Sequence, residues 1–406
     1  MRIIKLIKSV KGRYKMKKFN VVLFLAVFLL PLLLLAGAGK EGPAPVKEPE
    51  RAAEVGGDET DPWIIEVREG LEKYRGAILF DGPQGQTPSW DTELVLTLNE
   101  VEEIRKGSYT AAIAWHGQQG EYTDALGGGI KDGLKHLGIK LVAEASADFD
   151  PAKQKTDVES MMALKPDVII TLPTDSVTSV ATFRPVVDAG IKLVLISNQP
   201  NDYVHGKDFV GITTSMPYDQ GRFMADAMAQ ATKTNKVGII FFDADFWIVN
   251  FIDGVVRDTI ADEYPHIEIA AEQGFANPAT DIENAALAII QRYPEVDTLY
   301  VSFGALPAAL ACESAERDDI SVISQGLDKP YMQNMLSGGN IYAIITDSTY
   351  NIGVNAALLA GYGILGKPAP EYTISPSATI TKENLREMWK LAFRVVPFPK
   401  ELEELM

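Results

Sequence analysis

The sequence predicts an α/β protein made of two doubly wound lobes, each built on a parallel sheet. Three observations lead there. Between Thr110 and Gln199, strand-like runs alternate with helix-like ones. The alternation resumes at Lys236 and continues through Asp347. Such a strand–helix rhythm implies parallel strands with helices on the faces of the sheet. Two blocks of it in one chain leave a cleft between halves, and parallel sheets place ligands at the carboxyl ends of their strands.

The elements follow in order. Residues 63–107 form a preamble with helical character at 63–74 and 98–106 around a loop at 81–90, rich in Gly and Pro. The first lobe has strands at 110–115, 139–143, 168–172, 192–197 and 209–212. Its helices lie near 122–137, 151–164 and 176–189, and a further helix near 217–232 follows the strand at 209–212. Pro151 suits a first helical turn behind a capping Asp150. The second lobe has strands at 236–242, 267–273, 298–302, 321–326 and 341–346. Its helices lie near 249–264, 278–292, 305–316 and 329–337, and a helix at 349–365 follows. Pro368 and Pro370 break the pattern before a last helix at 381–391. The chain crosses between lobes near 212–215, and a return falls naturally at 345–347.

Composition narrows the function. A chain of 406 residues with 46% hydrophobic content supports two or three cored domains and excludes global disorder. The formal net charge is −17, although the first 38 residues hold lysines and arginines and no acid. So acidic a body argues against nucleic acid and anionic membrane surfaces as partners. One cysteine, Cys312, excludes an intramolecular disulfide, and its helix-like surroundings mark it as a small core residue. Lys17 and Lys18 precede an apolar run at 19–35, and Ala36-Gly-Ala38 supplies small residues for cleavage. A signal peptide over 1–38 is therefore expected, with Met16 as an alternative start and an uncleaved anchor as the competing reading. Residues 39–62, rich in Pro, Gly, Glu and Ala, are expected to be a disordered linker.

Several chemistries are missing. No phosphate loop of the Gly-x-x-x-x-Gly-Lys-Ser type and no Gly-x-Ser-x-Gly elbow occurs. Gly127-Gly-Gly129 sits inside a helix-like run and is expected to let that helix pack closely on the sheet. No histidine stands at metal-ligand spacing from another His or Cys, so neither metal nor cofactor is expected. Asp243 and Asp245 follow a strand, where they serve as loop and cap residues; an acid–base pair there is the enzymatic alternative.

What remains is a set of aromatic and polar residues at strand ends. The candidates for ligand contact are Trp115, His116, Gln118, Tyr122, Asp175, Asn198, Trp247, Asn250, Phe303, Asp328 and Asp347. Flat aromatic faces stack on the C–H faces of sugar rings, while Asp, Asn and Gln fix hydroxyls by directed hydrogen bonds.

Over residues 109–389 the chain resembles periplasmic sugar-binding proteins of ABC transporters, of the ribose/galactose-binding type. The resemblance rests on Leu172-Pro-Thr-Asp-Ser176, Phe209-Val-Gly211 with Gln220-Gly221, Gly326-Leu-Asp328 and Asn351-Ile-Gly-Val354. It implies a type I periplasmic binding protein fold with a multi-strand hinge, no catalysis, capture by lobe closure and delivery to a membrane permease. It also implies lobe 1 over 109–213 plus 347–375 and lobe 2 over 214–346 plus 376–400, with the preamble at 63–108 packing on lobe 1. Asp328 matches an Asp that receives sugar hydroxyls, Tyr122 falls near a stacking aromatic, Asn198 replaces a frequent Arg, and Asp347 replaces a hinge-side Gln. Asn250 lies near a sugar-binding Arg without matching it, and Phe303-Gly304 replaces a polar pair. The expected ligand is thus a monosaccharide, deoxy sugar or polyol, held by a monomer in the periplasm or outside the cell. A sensor module that hands its ligand to a receptor is the alternative.

Overall fold

The structure, a computed structural model, describes residues 59–117, 120–394 and 396–406. The expected signal peptide, nearly all of the expected linker, and Gln118 lie outside the described residues. The strands are β1 (Pro88–Trp90), β2 (Thr110–Trp115), β3 (Lys140–Ser146), β4 (Val168–Thr171), β5 (Lys192–Ile196), β6 (Ile212–Ser215), β7 (Lys236–Phe242), β8 (Glu268–Phe275), β9 (Thr298–Val301), β10 (Ser321–Gln325), β11 (Ile341–Asp347), β12 (Tyr372–Ser375) and β13 (Ser377–Ile380). The α-helices are α1 (Pro62–Glu66), α2 (Leu98–Lys106), α3 (Gly120–His136), α4 (Pro151–Ala163), α5 (Thr178–Asp188), α6 (Pro217–Ala231), α7 (Trp247–Glu263), α8 (Asp281–Arg292), α9 (Ala305–Ser314), α10 (Lys329–Leu336), α11 (Thr349–Leu365), α12 (Leu385–Phe393) and α13 (Lys400–Glu403).

Two sheets form. The first runs β1-β12-β6-β5-β4-β2-β3, and every pairing in it is parallel. The second runs β13-β11-β10-β9-β7-β8. It is parallel except at its edge, where β13 pairs antiparallel with β11. The chain steps straight from β12 through Pro376 into β13, so this strand enters the second sheet from the opposite end. The chain passes between the sheets three times, after Ser215, after Asp347 and at Pro376. Helices cover both faces of each sheet, which is why Ala111–Trp115 of β2 and all of β4 and β9 are buried.

Most elements fall where the sequence places them, and Asp150 caps α4 by accepting the Ala152 N–H at 2.8 Å. The strand expected at 209–212 is instead β6, three residues later. Phe209 is held in the preceding loop, where it bridges to His205. The triple glycine also packs differently: its partner is α11 more than the sheet. A Cβ on Gly129 would overlap the Tyr350 carbonyl, and one on Gly353 the Leu126 carbonyl, so α3 and α11 cross at backbone contact. Cys312 is buried, and burial pushes its thiol up to about 12.

The preamble is stitched to both lobes. The last residues of the expected linker are already tied down: Thr60 bridges to Thr97, and the Asp61 carboxylate caps α1 at the Trp63 N–H. Trp63 stacks on His136 of α3 at 4.3 Å, which removes that histidine from the open surface. β1 extends the first sheet beside β12, while Leu71 joins the core of the second lobe. Buried Arg68 donates to the Leu94 carbonyl at 2.8 Å and to Asn355 Oδ1 at 2.9 Å, with Asp91 at 3.8 Å. Burial lowers its pKa to about 10. Arg68→Ala leaves those acceptors unpaired, although Asp91 keeps Arg75 at 2.9 Å. The expected cost is about 2 kcal/mol, read as a shift in the urea midpoint with an unchanged m-value.

Candidate functional site

The two sheets point their carboxyl ends at one another across a cavity of ≈ 920 Å³. Its wall is built from residues at or just past strand ends. His116 follows β2, Leu172, Thr174 and Asp175 follow β4, Ser197 follows β5, and Ser215 ends β6. From the second lobe, Phe242 ends β7, Asn277 follows β8, Phe303 follows β9, Gln325 ends β10, and Asp347 ends β11. The loop after β7 and the first turns of α7 add Phe246, Ile248, Val249 and Ile252. A crevice at the strand carboxyl ends of two open α/β sheets is where ligands of such folds sit.

The wall is rich in aromatic rings. His116 and Phe246 lie nearly parallel with centroids 6.0 Å apart, and Phe149 meets His116 edge-on at 4.9 Å. Phe303 packs edge-on against Phe242 at 5.0 Å and against Phe275 at 5.1 Å. Burial depresses the His116 imidazole to about 4, and its Nδ1 has no partner in the protein. Burial also raises the Asp347 carboxyl to about 6, partly offset by the Thr349 hydroxyl that donates to Oδ1. The Tyr122 phenol is raised well above its ordinary value by burial and then by the Asp347 charge.

Of the residues singled out in the sequence, His116, Tyr122, Asp175, Phe303 and Asp347 line this cavity. Asp175 is already engaged: its carboxylate accepts the N–H groups of Val177 at 2.7 Å and Thr178 at 2.6 Å, capping α5. The other described candidates lie outside the wall. Trp115 is 1% exposed, because the inner end of β2 is covered by α3, and its indole N–H donates to Glu144 at 3.0 Å. Asn198 turns inward to donate to the Pro173 carbonyl at 3.2 Å. Trp247 packs on Phe251 at 5.1 Å and against Tyr372 of the first sheet at 6.4 Å. Asn250 is exposed on α7 and donates to the Ala244 carbonyl at 2.8 Å.

Asp328 spans the cleft instead of facing the cavity. Its Oδ1 accepts the Glu121 N–H at 3.0 Å, so a second-lobe carboxylate caps the first turn of α3 in the first lobe. Gly120 permits this approach, since its φ is +69° and a Cβ there would strike the Asp328 carboxylate. Burial raises the Asp328 carboxyl, and the neighbouring Glu121 adds to the shift. Asp245 lines the cavity mouth and Asp243 does not; both are exposed, as loop residues are.

Sequence reasoning did not single out Phe149, Leu172, Phe242 or the apolar first turns of α7 as cavity wall. The one available signal was the dense run from Phe241 to Ile252 beside a strand end. Among the described residues, no cluster of three His, Cys, Asp or Glu is placed to hold a metal, and no helix is long and apolar enough to cross a membrane.

A family model described as a periplasmic binding protein domain matches residues 111–368. The structure is similar to that of a solute-binding protein from Agrobacterium vitis bound with α-D-tagatopyranose, at TM-score 0.65 and 19% identity over 70% of this chain and 99% of that one. It is similar to a carbohydrate transporter solute-binding protein from Agrobacterium radiobacter in complex with D-arabinose, at TM-score 0.62 and 21% identity over 71% and 99%. A periplasmic ribose ABC transporter protein from Conexibacter woesei matches at TM-score 0.61 and 20% identity over 70% and 95%. Likeness at this identity establishes the shared fold.

Proposed function

Because the chain belongs to the family of periplasmic binding protein domains, we propose that it is an extracytoplasmic solute-binding protein. It captures a small carbohydrate-like ligand between its lobes and delivers it to an ABC transporter permease. The observation that carries this reading is the ≈ 920 Å³ cavity with walls from the strand ends of both sheets. A guest touching both walls favours the closed arrangement over an open one, which is what couples capture to delivery. The sugars in the Agrobacterium relatives are small rings of a size such a cavity accepts. His116, Tyr122, Phe303 and Asp347 are the residues assigned to ligand contact, with the protein acting as a monomer. Export by a leader cleaved after Ala38 belongs to the same reading, and N-terminal sequencing of the exported protein tests it.

A thermal-shift screen over monosaccharides, deoxy sugars, amino sugars, polyols and nucleosides tests the binding function. A ligand held only by the native state raises the melting temperature, by an amount that grows with its concentration. A melting temperature indifferent to every member at millimolar concentration would contradict the reading.

A further inference from the structure

The charge of the cavity wall is one-sided. Asp148, Asp175, Asp245 and Asp347 line it, and among the described residues no lysine or arginine does. Three of the four carboxylates are accounted for. Asp175 caps α5, Asp148 lies 3.6 Å from Lys153, and Asp245 is exposed to solvent. Asp347 is only 6% exposed, and its side-chain partner is an uncharged hydroxyl, that of Thr349.

A carboxylate taken out of water without a counter-charge is costly, and a positive group brought beside it removes much of that cost. A second feature points to a guest. His116 is 8% exposed, lines the same cavity, and has an Nδ1 with no partner in the protein. Its burial favours the neutral imidazole, so it adds no positive charge that would repel a cation. Phe246 and Phe303 line the same cavity and give it apolar wall. An anionic guest finds no charged partner on this wall, and a neutral one offers Asp347 hydrogen bonds but no counter-charge.

Taking the solute-binding reading as its basis, we propose that the guest is a positively charged, amino-substituted ring. Its ammonium sits at Asp347 and its apolar face lies against Phe246 and Phe303.

Matched pairs that differ mainly in charge test this. The probes are D-glucosamine against D-glucose, and cyclohexylamine against cyclohexanol. They are titrated at pH 7.5 into the full mature chain and into Asp347→Asn, with thermal shift and calorimetry as readouts. The expected result is at least tenfold tighter binding of the amine in a pair, and loss of that preference in Asp347→Asn while the variant keeps the wild-type circular dichroism spectrum. A neutral member that binds as tightly as its amine overturns the charge assignment and leaves the solute-binding reading intact. An amine preference that survives Asp347→Asn overturns the role of Asp347. If neither class binds, while a sugar or polyol outside these pairs does, the charge assignment fails alone. If no small ring binds at all, both readings fail together.

Discussion

Gly353→Ala is expected to destabilise the protein by about 3 kcal/mol, whereas Gly128→Ala in the helix it faces is expected to stabilise it by up to about 1 kcal/mol. The contrast isolates packing from helix propensity. A Cβ on Gly353 would overlap the Leu126 carbonyl and come within 2.8 Å of the Ile130 N. Both obstacles are backbone, so neither can turn aside as a flexible side chain would. Relief requires α3 and α11 to move apart, and α11 is buried over Thr349–Gly363, against the first sheet and α3. Separation would open voids on both sides of that helix. A Cβ on Gly128, in contrast, meets nothing within 4 Å, so only its backbone entropy changes. Urea unfolding of the two variants checks the pair. Equal effects from both would show that the helices do not meet at these glycines.

Asp347→Asn is expected to make the ligand-free protein more stable at pH 7.5, by up to about 3 kcal/mol, since a shift of one pKa unit corresponds to about 1.4 kcal/mol. The folded Asp347 carboxyl titrates near 6, above the usual carboxylate range, because burial disfavours its charge. A group whose folded pKa is raised stabilises the protein below the unfolded value, near pH 4, and that contribution is lost as pH rises through about 6. His116 works in the opposite sense. Burial holds its folded pKa near 4, so stability is lost as pH falls from about 6.5 toward 4. Over this window the two slopes oppose each other, and Asp328, whose carboxyl burial also raises, adds to the falling slope of Asp347. In Asp347→Asn the Asp347 slope is removed, so the change in stability from pH 4 to 6.5 is more positive than in the wild type by about 3 kcal/mol. In His116→Gln the histidine slope is removed, and stability falls with pH more steeply than in the wild type. Chemical denaturation across pH 4–8 reads all three curves. An Asn variant less stable than wild type at pH 7.5 would show that Asp347 is compensated in the empty protein.

The βαβ rhythm was legible because strands buried on both faces read as unbroken apolar runs, as in Val168-Ile-Ile and Lys192-Leu-Val-Leu-Ile. The three interlobe strands were harder. β6, β12 and β13 are only four residues long, and their buried positions hold Thr213, Thr214, Ser215, Thr373, Ser375 and Ser377. At that length the alternation of apolar residues such as Tyr372 and Ile374 is too brief to read, and the prolines at 368 and 370 suggested an end to regular structure where two strands were about to form. β1 was hidden in a Gly/Pro loop because a three-residue edge strand is defined by its neighbour β12 and not by its own residues.

The site divides in the same way. His116, Tyr122, Phe303 and Asp347 line the cavity, and the sequence pointed to them because strand ends are visible and their residue types stand out. Asp328 and Asn250 share those properties, yet one caps a helix across the cleft and the other holds its own loop. A polar side chain at a strand end has backbone groups within reach as well as a ligand, and one sequence does not reveal which it takes. Trp115 was a matter of face: along a strand successive side chains alternate between faces of the sheet, and this one points under α3.

The most direct test of the account is calorimetric titration of the mature protein and of Ala244→Trp with the ligand that the thermal-shift screen selects. Ala244 is exposed on the second-lobe loop and lines the cavity, so an indole there intrudes into the space between the lobes. The account predicts one ligand per chain for the wild type and at least a hundredfold loss of affinity in the variant. Undiminished binding with the indole in the cavity would contradict it.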